Sequence, residues 1–174
     1  VMNISLSSVS LGTYLQLLPA ASKIMQKAKA HFEEEGTNLQ DVVDMRLYED
    51  MATFAFQVFS ISHHSLGAIN GLKNGELGPP KMPPDLDFEA LQNILKEAEQ
   101  KLLQVSSNEI DKLSDGEVVF KMGDIRWPFT NTDFILSFSL PNFYFHLTTM
   151  YDMLRVRGLP IGKMDFVGQM RLSK

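Results

Sequence analysis

The chain's readiest proton carriers are its four imidazoles, His31, His63, His64 and His146, because histidine alone titrates near neutral pH as it stands. His146 has the most company. It lies one helical turn after Asn142 and in register with Ser139, so a helix through this stretch gathers three polar groups on one face. An imidazole so placed can take a proton from a bound molecule and return it, as isomerisation, elimination, cyclisation or hydration requires. Gln57 stands among Phe54, Phe56, Val58 and Phe59, and a buried glutamine in such company needs a hydrogen-bond partner. That partner could be His146, Asn142, a ligand, a trapped water or a neighbouring helix.

His64 falls seven residues after Gln57 and extends its stripe, whereas the adjacent His63 points about 100° away on a helix. Tyr144 and Tyr151 lie on the His146 segment; Tyr151 and Arg155, at i and i+4, can act together on an anion or a backbone carbonyl. The structural reading of Arg155 is a tie to Asp165, and that of Arg46 and Asp50 is a salt bridge. His31, beside Glu33 to Glu35, suits a helix C-terminus. The catalytic candidates are therefore His146, Gln57 and Asn142, and the ligand-binding candidates are His64, Tyr144, Tyr151 and, from the aromatic wall, Phe54. Asn142 also has a local reading, as a side chain that pacifies the backbone disturbed by Pro141.

Composition removes other chemistry. With no cysteine there can be no thiol nucleophile, disulfide, iron–sulfur cluster or Cys-ligated zinc. No Gly-rich phosphate loop, GxSxG elbow, His-Glu-x-x-His or Glu-x-x-His occurs. The net charge of −5 and scattered Lys and Arg give no stripe for phosphates, so no nucleic-acid partner is expected. Val1 to Ser10 lacks the pattern of a signal peptide, and Phe134 to Phe145 is too broken to span a bilayer. A cytoplasmic protein without a membrane partner is expected.

The elements that must position these residues follow from periodicity. Apolar residues recur at helical spacing from Ser10 to Glu35, with Ser10 as cap, Pro19 inside and Gly36 as stop. Asn38 to Tyr48 reads as a short helix or turn. A second helix is predicted from Glu49 to Lys73, its acidic first turn matching the dipole. Residues Asn74 to Leu86 hold two glycines and four prolines and read as an extended crossing. A third helix runs from Asp87, its cap, to Val105. Glu117 to Phe129 alternates as a short β-hairpin turning at Gly123-Asp124, with Pro128 at its edge. A fourth helix spans Thr132 to Arg157, kinked at Pro141 and stopped by Gly158, and Leu159 to Lys174 forms an ordered tail. The fold class expected is all-α, one domain over residues 1–174: a four-helix bundle with one long crossover, plus a short hairpin before the last helix.

The string Leu140-Pro141-Asn142-Phe143-Tyr144-Phe145-His146, followed by Arg155, Gly158, Pro160, Gly162, Lys163, Asp165 and Phe166, resembles a family within the DinB-like superfamily. Arg46-Leu47, Asp50-Met51, Gln57-Val58 and Phe129-Thr130 fit the same family, so the likeness runs through nearly the whole chain. The resemblance implies a four-helix fold with a long crossover, often paired as a homodimer. Many relatives hold a divalent metal with three histidines, one from the second helix and two at i and i+4 on the fourth; some transfer thiols to small molecules. Here the matching positions are Gln57, Asn142 and His146, so only one imidazole of that set remains. A carboxamide oxygen is a poor donor to zinc or nickel, and no cofactor is expected. Were a metal held, His146, His64 and Asn142, with Asp50 or Glu49, would be its ligands.

Two functional expectations result. One is a metal-independent enzyme or binder of an apolar small molecule, with His146 moving a proton in an aromatic-lined pocket. The other is a dimeric binding protein with a degenerate metal site. A metal-dependent transferase or hydrolase with a rearranged site stands behind both.

Overall fold

The computed structural model describes residues 4–173; the first three residues of the amino-terminal stretch, and Lys174, lie outside the described residues. Helix α1 (Leu6–Val9) is capped by Ser5, and helix α2 (Leu11–Glu34) comes directly after it with Pro19 inside. Ser10 does not cap α2 as its type suggested. Its hydroxyl donates instead to the Leu6 carbonyl at 2.6 Å, the i−4 habit of a serine already inside a helical path. Asn38 caps α3 (Leu39–Asp44).

The predicted helix from Glu49 is shorter in the structure. It begins as α4 (Phe54–Ser62) under a Thr53 cap, while Glu49 and Asp50 stay in an exposed turn. Arg46 does not pair with Asp50; its guanidinium donates to the Met51 carbonyl and shapes that turn. One π-helical turn (His63–Gly67) then leads into α5 (Ala68–Asn74), which ends on Gly75 in the left-handed region at φ 75°. Helix α6 (Phe88–Leu103) starts on its Asp87 cap as predicted, and α7 (Ser107–Asp111) comes next.

The hairpin is present as β2 (Glu117–Met122) and β3 (Ile125–Thr130), antiparallel from Glu117 opposite Thr130 to Met122 opposite Ile125. It is also enlarged. The crossing contributes β1 (Glu76–Leu77), parallel to β2, so a three-stranded sheet has the order β1-β2-β3. Pro128 lies on edge strand β3, where its missing N–H leaves no interior ladder broken.

The predicted last helix is likewise divided: α8 (Asn131–Asp133), a π-helical segment (Phe134–Ser139), then α9 (Leu140–Val156). Pro141 falls in the first turn of α9, where a missing N–H is tolerated. The tail carries α10 (Lys163–Val167). Asp165 takes Lys27 of α2 as its partner at 2.5 Å, and Arg155 reaches the Leu159 carbonyl at 2.8 Å rather than Asp165.

Helix α2 packs on α6, and α4 packs on both α6 and α9, so the main core lies among these four. Tyr14, Phe32, Phe54, Phe134 and Phe143 are its largest fully buried side chains. Burying an aromatic of this size is worth roughly 1.5–3 kcal/mol. No helix of the described residues is long and apolar enough to cross a membrane.

Candidate functional site

The two π-helical turns meet. A π-turn inserts one residue into the helical cycle, which displaces carbonyls from the α register and exposes them to new partners. Here the Ser139 hydroxyl, at the end of one turn, donates to the His64 carbonyl in the other at 2.7 Å. That leaves Ser139 Oγ as the acceptor for the Tyr14 hydroxyl, 2.6 Å away. Tyr14 is fully buried and burial pushes its phenol far up, so it remains a donor. The chain Tyr14 to Ser139 to His64 carbonyl thus ties α2, the second π-turn and the first.

Beside this tie, three of the sequence candidates come together. His146 Nδ1 and Gln57 Oε1 are 2.8 Å apart, with Gln57 2% and His146 9% exposed. The His64 ring stacks on the His146 ring, centroids 5.6 Å apart and planes 12° from parallel. His64 is itself 3% exposed, and its Nδ1 has no hydrogen-bond partner. Phe56 and Phe145 stand edge-on to His146 at 6.0 and 5.3 Å, and Phe138 does the same to His64 at 5.8 Å. His63, at right angles to His64, binds the Gly78 carbonyl at 2.9 Å and anchors the crossing here.

The electrostatics are those of neutral imidazoles. Burial first, then His63, lowers His146 from 6.5 to about 4. Burial, then His63 and His146, lowers His64 to about 3. Burial also lowers His63, against the raising effect of the Gly78 carbonyl. At neutral pH each ring therefore carries one proton, and His146 offers lone-pair chemistry rather than a positive charge.

The other candidates stand elsewhere. Asn142 donates to the Phe138 carbonyl at 2.7 Å, four residues back on its own helix, which is its local reading. Phe54 is wholly buried and stacked on Phe88 at 6.3 Å, so it is core rather than a ligand wall. Tyr151 packs edge-on against Phe166 and reaches the Ile161 carbonyl at 3.5 Å, holding the tail instead of a ligand. Tyr144 is 42% exposed, its ring against Phe143. Roomier recesses lie away from the imidazoles: one of about 530 Å³ is lined by Leu6, Val9, Asp111 and Leu136, and one of about 430 Å³ by Gly78, Pro79 and Lys121. At His146 the aromatic lining expected from the sequence is Phe56 and Phe145, with the His64 ring beside them. Sequence reading did not find the Tyr14–Ser139–His64 tie, although helical spacing alone puts Ser139 on the His146 face.

The donors do not fit a divalent metal. His146 spends Nδ1 on Gln57, Asn142 is turned to its own helix, and Glu49 and Asp50 are exposed. Among the described residues no three His, Asp or Glu side chains form a metal-holding group. Protein loaded with zinc, nickel and manganese and then desalted is expected to retain far less than one ion per chain by plasma mass spectrometry. A near-stoichiometric ion would restore His146 and His64 as ligands.

Residues 6–167 match the family profile described as a domain of unknown function, DUF1993. None of the curated proteins matches the chain. Among solved structures it is similar to a DinB family member protein from Shewanella denitrificans, with a TM-score of 0.81 and 20% identity over 97% of this chain and 95% of that one. At that identity the likeness is one of fold.

Proposed function

Because this chain belongs to the DUF1993 family and shares the DinB-like fold, we propose that it binds a neutral small molecule against His146, which takes a proton from it and returns it. In this reading residues 1–174 are one domain, a four-helix bundle of α2, α4 with α5, α6 and α9, crossed once by the segment that carries β1. The string Leu140 to His146 is its hallmark because it delivers the imidazole to the bundle interior.

The observation that carries the proposal is the buried Gln57–His146 hydrogen bond. A neutral pair of this kind contributes only about 1 kcal/mol, and leaving either partner unpaired costs about 1–3 kcal/mol. An apolar pair would hold these helices with less at stake. Two π-helical turns at the same place support the reading, since such turns recur at functional sites. Phe56 and Phe145 are the rings a ligand would part on its way to His146, and Phe145, 56% exposed, has room to swing. The reaction needs no redox partner: a C–H, O–H or N–H bond of the ligand breaks, the proton rests on imidazole nitrogen, and it returns to the same or a neighbouring atom. Isomerisation and cyclisation return the proton within the ligand, elimination sends it out with the leaving group, and hydration takes it from the added water.

Binding without turnover is the second reading, and the close packing of His146 against Phe56, Phe145 and His64 favours it. Saturation-transfer NMR with phenol, indole and cyclohexanone tests the site common to both. At least one probe is expected to bind, and His146→Ala is expected to weaken that binding tenfold or more with the fold kept. If His146→Ala only lowers the melting temperature and binding persists, His146 is a core residue and the proposal fails.

A further inference from the structure

The direction of the Gln57–His146 hydrogen bond is set by a third residue. Gln57 Nε2 donates to the Ala52 carbonyl at 3.2 Å. A carbonyl only accepts, so this bond fixes which end of the amide is the NH2 and turns Oε1 toward His146, 2.8 Å from its Nδ1. Oε1 also only accepts. Nδ1 must therefore carry the proton, and in a neutral ring Nε2 is then a bare lone pair.

Ala52 lies just before the Thr53 cap of α4, so the relay starts on a backbone held in place by the helix start. The ring surroundings add no charge: Phe56 and Phe145 flank His146, and His64 covers one face. In the same cluster His64 Nδ1 is buried and has no hydrogen-bond partner.

Resting on the reading of His146 as the ligand-contacting group, we propose that Gln57 is a positioning residue that locks His146 as its Nδ1–H tautomer, so that the site selects neutral aromatic ligands carrying an O–H or N–H donor, such as phenols. A ligand that can only accept a hydrogen bond meets a lone pair and is rejected. An anion is rejected as well, because neither imidazole is charged and no cation faces the rings in the hydrogen bonds and ion pairs of the site. In proton-transfer terms, the donor's X–H bond lengthens toward Nε2, while the Nδ1 proton stays on the ring, hydrogen-bonded to Gln57 Oε1, which steadies the imidazolium formed. Nothing is oxidised and the proton goes back to the ligand. An uncharged amide supports that imidazolium less than a carboxylate would, which limits the site to transient transfer or to binding alone.

The tautomer is measured without any ligand, by nitrogen-15 NMR of imidazole-labelled protein at neutral pH. His146 is expected to show a pyrrole-type Nδ1 and a pyridine-type Nε2. The reverse pattern overturns the proposal whether or not any molecule binds. Gln57→Leu removes the acceptor and frees the ring to turn its proton to Nε2. That variant is expected to reverse the preference, from phenol at least tenfold over cyclohexanone to cyclohexanone over phenol. Gln57→Glu, which keeps an acceptor at Nδ1, is expected to keep the wild-type tautomer and the phenol preference. Cyclohexanone binding as tightly as phenol in the wild type would also overturn the inference, while leaving His146 as the ligand-contacting group. If no probe binds but the Nδ1–H tautomer is found, the ligand assignment fails and the positioning role of Gln57 stands.

Discussion

Acidification from pH 7 to pH 5 is expected to remove about 2 kcal/mol of stability for each of His64 and His146. In the folded protein burial lowers His146 from 6.5 to about 4, and burial with His63 and His146 lowers His64 to about 3. A folded value below the unfolded one means that the unfolded chain binds more protons in the interval between them. The stabilising contribution is therefore complete above pH 6.5 and is lost as the pH falls toward 4 and 3. His63, lowered by burial, adds in the same direction. The slope for each histidine approaches about 1.4 kcal/mol per pH unit.

Carboxylates do not confuse this window. Asp165, held low by Lys27, and Asp111, held low by the Ser7 amide, give up their contributions below their ordinary value of 3.8, and Glu76 and Glu109, held low by Lys121 and Lys73, below theirs of 4.5. Urea unfolding at pH 7, 6 and 5 measures the effect. His64→Leu removes the ring whose Nδ1 has no partner, so it is expected to fold and to show a visibly shallower pH dependence. A flat wild-type profile between pH 7 and 5 would mean that water reaches the imidazoles and that the neutral cluster is not as buried as its geometry makes it.

The second large effect belongs to Phe54→Ala, expected to cost about 3–5 kcal/mol while leaving probe binding at His146 unchanged. Phe54 starts α4, is completely buried and lies 15° from parallel to Phe88 at the start of α6, so its ring joins the two helices where both begin. Removing it opens a cavity at a junction that cannot collapse without moving both caps, Thr53 and Asp87. Thermal and urea unfolding measure the loss, and Phe54→Leu, which refills much of the volume, is expected to recover most of it. A small stability loss with a large loss of phenol affinity would return Phe54 to the ligand wall that its place in the sequence suggested.

Phe54 and Asn142 show what residue type leaves open at the site. Both share a stretch with genuine members of the cluster, and residue type alone does not say which way each faces. Asn142 can satisfy itself four residues back on its own helix, so it has no need of a distant partner. Gln57 sends its NH2 to Ala52, just before the start of its own helix, and only its oxygen is left for a partner from elsewhere. The start of α4 is misplaced by the sequence pattern for a similar reason. Glu49 and Asp50 suit a first turn, but Arg46 closes a separate turn on the Met51 carbonyl and the cap passes to Thr53.

The sequence by itself determined the features that neighbours within one or two turns can impose. The helical repeats, the Asp87 cap, the Gly36 and Gly158 stops, the Gly123-Asp124 hairpin and the presence of an imidazole and an amide amid apolar residues all belong here. Tertiary structure alone decided that Gln57 and His146, 89 residues apart, share a hydrogen bond, that His64 stacks on the same ring, and that Glu76 and Leu77 join the sheet. It also placed the π-turns at His63–Gly67 and Phe134–Ser139. Each inserted residue rotates the remainder of its helix by about 100°, so a stripe extrapolated along the chain loses its phase there. The bond from Ser139 to the His64 carbonyl joins the two π-turns, and such a bond exists only once the two helices are packed.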